Sequence, residues 1–432
     1  MTEILLRTPA PLNCNMPPSD EPSLIIRNAR VVTLAKDGRP SPKPLRGEDL
    51  GELHVIERAD VHVACGKITE VKKLLPKSRP RAPVPGVSEI EAQGRVLMPG
   101  FVDAHTHTCW AGTRLDEWDQ QRRGVPYLQI LKKGGGIMAT VRAVRAATLA
   151  ELTESLLARA FEMLALGTTT IEVKSGYGLT TADEMKMLYA VRRAQEQFPG
   201  TLVPTALLGH ALDPDQPGFV GRVTRETLPA VGAEFPGIAV DAYCEAGAWS
   251  VEQCVLLFAR AHELGLRVRV HADQFNSLGM IPAALRLDAD SVDHLEATTK
   301  EEMTLLAASK AIGVMLPACG FHQGGRYARG RAFVQMGGAL CIASNRNPGS
   351  APCGSMPMVC ALACRHLGLS PQEAITAGTR NAALLLRLSD RGAIAPGLRA
   401  DMLLLKGSDE RAVAFEFGSS PVERVIVGGR VV

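Results

Sequence analysis

Between Leu97 and Ala343 short apolar runs alternate with longer amphipathic stretches, at a spacing of about 35 residues. The apolar runs are Leu97–Val102, Thr168–Val173, Leu202–Leu208, Ile238–Tyr243, Arg267–His271, Ser291–Asp293, Ile312–Leu316 and Ala339–Ala343. Most of the stretches between them open on helix N-terminal signals of the Thr/Ser-x-x-Glu/Gln type, at Thr148/Glu151, Thr181/Glu184, Ser250/Gln253 and Thr298/Glu301. Eight strand–helix units over about 290 residues fit an α/β fold of the parallel (β/α)8 kind, a TIM-like barrel, better than an open doubly wound sheet. No Gly-x-Gly-x-x-Gly or phosphate-binding loop follows a strand, which argues against a nucleotide.

The flanks are β-rich and lack this alternation. Leu24–Leu34 reads as two short strands around an Asn28-Ala29 turn, followed by strands at His54–Ile56, Val61–Ala64 and Ile68–Val71. At the other end, Met402–Leu405 and the stretch from Val425 onward read the same way. Short strands need partners. We therefore expect one small β-sandwich built from residues 22–96 and 384–432, around a barrel of residues 97–383. The Pro-rich, polar residues 1–21 read as a flexible tail.

Composition narrows the partners. Apolar residues make up 46% and charged residues 22%, as in ordinary soluble globular proteins. The net charge is +3 with both signs interspersed, so neither nucleic acid nor an anionic membrane is indicated. No run approaches the roughly 18 apolar residues of a membrane span. The ten cysteines form no Cys-x-x-Cys pair, which reads as reduced thiols and a cytoplasmic protein.

The chemistry begins at Val96–His107, an apolar run ending in two histidines one residue apart. In extended chain, side chains at i and i+2 point the same way. His105 and His107 could thus aim at one point and offer half of a zinc-type site, although a lone His-x-His also occurs by chance. In a barrel, functional side chains gather at the carboxyl ends of the strands. Those ends carry Lys174 and Tyr177, His210, Glu245, His271 with Asp273 and Gln274, His294, and the run Ser344–Ser350. Five of the ten histidines fall there. His105, His107 and His271 together could hold one metal and leave positions for water and substrate, as catalytic sites do.

These features resemble the amidohydrolase superfamily and, more closely, the imidazolonepropionase family. The likeness runs from Leu24 to the C-terminus and rests on several segments. They are Pro99–His107 with Trp110–Arg114, Gly134–Ile137, Gly167–Thr170, Glu172–Leu179, Asp241–Glu245, His271–Gln274, His294–Glu296 and Asn347–Ser350. The resemblance implies hydrolysis of 4-imidazolone-5-propanoate, a small anionic heterocycle, by one zinc or iron held on His105, His107 and His271. It implies that Gln274 and His294 flank the attacking water, with His294 exchanging a proton. Arg114 would clamp the propionate, Tyr177 and His210 would bond the ring or tail, and Asn347, Gly349 and Ser350 would finish the pocket with backbone N–H groups open to an anion. A homodimer is implied by resemblance alone.

One departure touches the mechanism. The family's strand 8 ends in an aspartate that ligates the metal and takes the water's proton; here the residue is Asn345, followed by Arg346. An amide is no base near neutral pH and brings no charge to a metal, so Asn345 is at best a weak ligand. The segment after Pro317 is also basic and glycine-rich where the family is apolar. Three readings stand: water activated through His294; a paralogue acting on another acidic cyclic amide, with Arg346 or Arg326 gripping an extra group; or a binding protein without turnover.

Overall fold

The computed structural model describes residues 24–75, 83–125, 129 and 134–432. The tail expected at residues 1–21 lies outside the described residues.

Eight parallel strands stand side by side in chain order: Phe101–Asp103, Thr168–Lys174, Thr201–Gly209, Ala239–Cys244, Arg267–Ala272, Ser291–His294, Ile312–Met315 and Leu340–Ile342. Beyond the last and first strands the backbone continues the pairing. Asn345 N–H donates to His105 O at 3.0 Å, and His107 N–H donates to Arg346 O at 2.9 Å, which closes the barrel at its carboxyl rim. Every residue of Thr168–Lys174 is buried, including Glu172 and Lys174.

Two of the expected helix starts hold as read: Thr148 and Ser250 each form a reciprocal capping box, with Glu151 and Gln253. The other two are shifted by one residue. Thr180, in extended conformation, caps Asp183, and Thr299 caps Glu302. Tandem threonines at both places offer two caps, and the one with extended backbone is used. Glu184, freed from capping, instead accepts N–H bonds from Gly176, Gly178 and Leu179 and fixes the loop after the second barrel strand.

The two chain ends form a second, mixed sheet of eight strands with its own core of Ile26, Val31, Val61, Leu97, Met402, Leu404 and Ile426. In it Val96–Pro99 joins Leu24–Val32 in parallel and Met402–Leu405 in antiparallel pairing. The run expected as one strand over Leu97–Val102 is therefore two, split at Gly100 between the small sheet and the barrel. A Cβ at Gly100 would fall 2.3 Å from Thr169 Oγ1, so only glycine lets the chain cross there. Leu24–Val32 is likewise one strand rather than two: Asn28 takes a positive φ of 52° and the pairing slips beside it, a bulge in place of a turn.

Candidate metal centre and active site

His105 and His107 leave the first barrel strand side by side, and His271 comes in from the fifth. Their ligand nitrogens lie within 4.8 Å of one another, and all three rings are buried. His107 Nε2 and His271 Nε2 are 3.4 Å apart, and His105 Nε2 is buried without a hydrogen-bond partner. Burial, followed by Lys174 for His105 and by His210 for His107, holds these imidazoles well below their usual pKa. Neutral rings with converging lone pairs are stable together when a cation lies between them. The donor set fits a divalent metal.

Beneath the histidines lies a buried lattice of charge. Asp293 Oδ2 meets His105 Nδ1 at 2.6 Å, and Asp241 Oδ1 meets His271 Nδ1 at 3.1 Å. Lys174 Nζ bridges Glu172 at 2.7 Å and Asp241 at 2.8 Å. Arg269 joins Asp293 at 2.7 Å and Glu172 at 3.3 Å. Burial would raise the Asp241 carboxyl, but His271 and Lys174 hold it well below the usual carboxylate range. Three carboxylates face two cations, so the lattice is one negative charge in excess under three neutral rings, which favours a cation above it. Lys174 thus buttresses the rim from below. Glu245 does the same from the side, accepting from Phe275 N at 2.8 Å and Asn276 Nδ2 at 2.7 Å.

Above the rings opens a cavity of about 470 Å³. Arg114, Tyr177, His210, Gln274, His294, Asn345, Asn347, Gly349 and Ser350 all line it, with His107 and His271. Among the described residues that line it there is no aspartate or glutamate, whereas Arg114 and Arg122 are present. His210 stacks on His107 with ring centres 5.0 Å apart, and burial pushes its pKa down to about 3. Gly176, at φ +106°, lets its carbonyl come within 3.0 Å of His210 Nδ1; a Cβ there would strike Leu207 O at 2.9 Å. Tyr177 packs beside His210, and burial raises its pKa, so it remains a phenol. Gln274 is held by Tyr243 Oη, which donates to its Oε1 at 2.8 Å.

Around the eighth strand the structure corrects several expectations. Asn347 Oδ1 accepts from Gly349 N–H at 2.8 Å and Ser350 N–H at 2.7 Å, while its Nδ2 donates to Asn345 O and Ser350 Oγ. The backbone N–H groups expected to receive an anion are therefore already engaged, and Asn347 shapes the loop. Arg346 turns away from the cavity, donating to Arg159 O at 3.0 Å and pairing with Glu162. It cannot grip a substrate. Arg326 bonds Phe275 O at 3.1 Å outside the cavity lining. Asn345 itself faces the cavity with a buried Oδ1 that has no partner, at φ 54°, a left-handed conformation that Asn and Asp tolerate.

Other contributors went unassigned at the sequence level: Asp241, Arg269 and Asp293 under the rings, and Tyr243 behind Gln274. Charged residues in the middle of fully buried strand runs were the available signal. The charged loop after His107 offers Arg114 an ion-pair partner, and Glu117 is that partner, at 2.6 Å. His322 ends a short helix and lines the cavity.

Comparison with known proteins agrees with this geometry. The sequence profile of the amidohydrolase family matches residues 330–432. The imidazolonepropionase of Herpetosiphon aurantiacus is 42% identical over 96% of this chain and 98% of its own. That of Deinococcus radiodurans is 42% identical over 80% and 84%. Among solved structures, 5-methylcytosine deaminase from Klebsiella pneumoniae superposes with a TM-score of 0.71 at 17% identity, covering 94% of this chain and 97% of that one. A triazine hydrolase gives 0.66 at 19% identity, covering 95% and 94%. At those identities the likeness is one of fold.

Proposed function

As the chain belongs to the imidazolonepropionase family of amidohydrolases, which cleave carbon–nitrogen bonds, we propose that it adds water across the ring amide of 4-imidazolone-5-propanoate to give N-formimidoyl-L-glutamate. The observation that carries this reading is the cavity itself, which sets His107 and His271 of the three converging imidazoles opposite an arginine-bearing wall with no carboxylate among its described lining residues. Such a wall suits a small anion. His105, His107 and His271 would hold a zinc or iron ion, which would supply Lewis acidity toward a water and the ring carbonyl.

The remaining steps belong to the chain. Arg114 offers a guanidinium to the propionate, its Nε being buried without a partner while Glu117 holds one terminal nitrogen. Tyr177 and His210 wall the ring, and Gln274, oriented by Tyr243, bonds the carbonyl side. With an amide at 345, His294 is the proton acceptor. Its Nδ1 faces Glu296 Oε1 at 3.3 Å, which sets the tautomer and leaves the other nitrogen for the water. The proton then passes to the departing ring nitrogen. His294 sits at φ 89°, a strained conformation for a non-glycine residue, found where position matters more than ease. The nine described cysteines are free thiols, which supports a cytoplasmic setting.

The test mixes zinc- or iron-loaded protein with the imidazolone and follows ring opening, alongside His294→Asn. Turnover in the wild type that falls about 10²-fold or more in the variant supports the reading. Turnover unaffected by the variant removes His294 from the mechanism. Silence with this substrate removes the assignment.

A further inference from the structure

A second nest of metal-type donors adjoins the first. His294 and Glu296, at the end of the sixth barrel strand, meet Cys319, which follows the seventh in the short helix Pro317–His322. Their ligand atoms lie within 4.8 Å of one another. Donors on a tetrahedral ion sit about 3.3–3.8 Å apart, and His294 Nδ1 to Glu296 Oε1 is already 3.3 Å. The side chains of His294 and Glu296 are 3% and 4% exposed, and Cys319 is buried. Glu296 Oε2 is buried with no hydrogen-bond partner. Gln274 Nε2 reaches Cys319 Sγ at 3.4 Å and holds the sulfur at the junction of the two nests.

We propose that His294, Glu296 and Cys319 form a second, inhibitory site for a thiophilic divalent ion such as zinc. One nitrogen, one carboxylate oxygen and one sulfur make a borderline-soft set that suits zinc, and the thiolate and carboxylate neutralise its charge. Binding displaces the thiol proton, which leaves to solvent. A neutral imidazole has one lone pair. Once a cation holds that of His294, the ring cannot take a proton from water, and turnover stops. The inhibitory arm rests on the role given to His294 above; the binding arm does not.

The experiment uses the full-length protein, loaded with zinc and desalted, beside Cys319→Ala. The expected result is two equivalents of zinc in the wild type and one in the variant. Cobalt substitution gives a near-ultraviolet thiolate charge-transfer band in the wild type that the variant lacks. Activity measured against rising zinc falls at least tenfold past the first equivalent in the wild type and holds in the variant. One equivalent in both proteins, without a thiolate band, overturns the second site and leaves the three-histidine site standing. No metal in either overturns both. Equal inhibition of the two proteins overturns the inhibitory role.

Discussion

Asp293 Oδ2 lies 2.6 Å from His105 Nδ1 and, through the same oxygen, 2.7 Å from Arg269 Nη2. One carboxylate thus aims the imidazole and is itself anchored by a buried cation. Partners of this kind typically account for 10–100-fold in metal affinity. Asp293→Asn should weaken zinc binding by about that factor, measured by chelator competition, while circular dichroism stays native.

Asn345→Asp restores a carboxylate where Oδ1 is buried and unpartnered, and aspartate tolerates the φ of 54°. With a second base beside His294, kcat should rise by about 10²-fold, and metal affinity should rise with it. A variant no faster than the wild type would mean that His294 alone suffices.

Arg114 and Arg346 should part company. Arg114→Ala removes the clamp proposed for the propionate and should raise KM for the imidazolone by about 10²-fold, since a hydrogen bond to a charged group contributes about 1.5–3 kcal/mol. Arg346→Ala should leave both kinetic constants within about twofold. Its partly exposed pair with Glu162 contributes at most about 1 kcal/mol to stability.

Acid should destabilise the metal-free protein in a defined direction. His210, pushed down to about 3 by burial, stays neutral in the folded state while the unfolded chain binds a proton below the ordinary histidine pKa of about 6.5. Stability is then full above that value and falls as pH drops from about 6.5 toward 3. His105 and His107 shift the same way. Urea denaturation of chelated protein between pH 8 and pH 4 should show the loss, and His210→Asn should lessen its slope by about one proton.

Much of this was legible in the chain. Eight apolar runs gave the barrel because buried parallel strands write themselves as apolar stretches. His105, His107 and His271 were legible because strand ends are where such a barrel places its chemistry. The Gly100 break was not, because an apolar residue reads alike in either sheet. Which way Arg346 turns was hidden too: alternation along the strand does not extend past its end into a loop. Nor could spacing bring Cys319 to Glu296, since they follow different strands and meet only through the curvature of the rim.

The seam at the rim has a consequence for biogenesis. His105 and His107 hang from the opening stave of the barrel, whose backbone is tied to Asn345 and Arg346 on its closing one. Contacts so distant along the chain form late. A polypeptide that stops short of the eighth stave lacks the backbone partners of the paired histidines, so their mooring is complete only once the whole cylinder has shut.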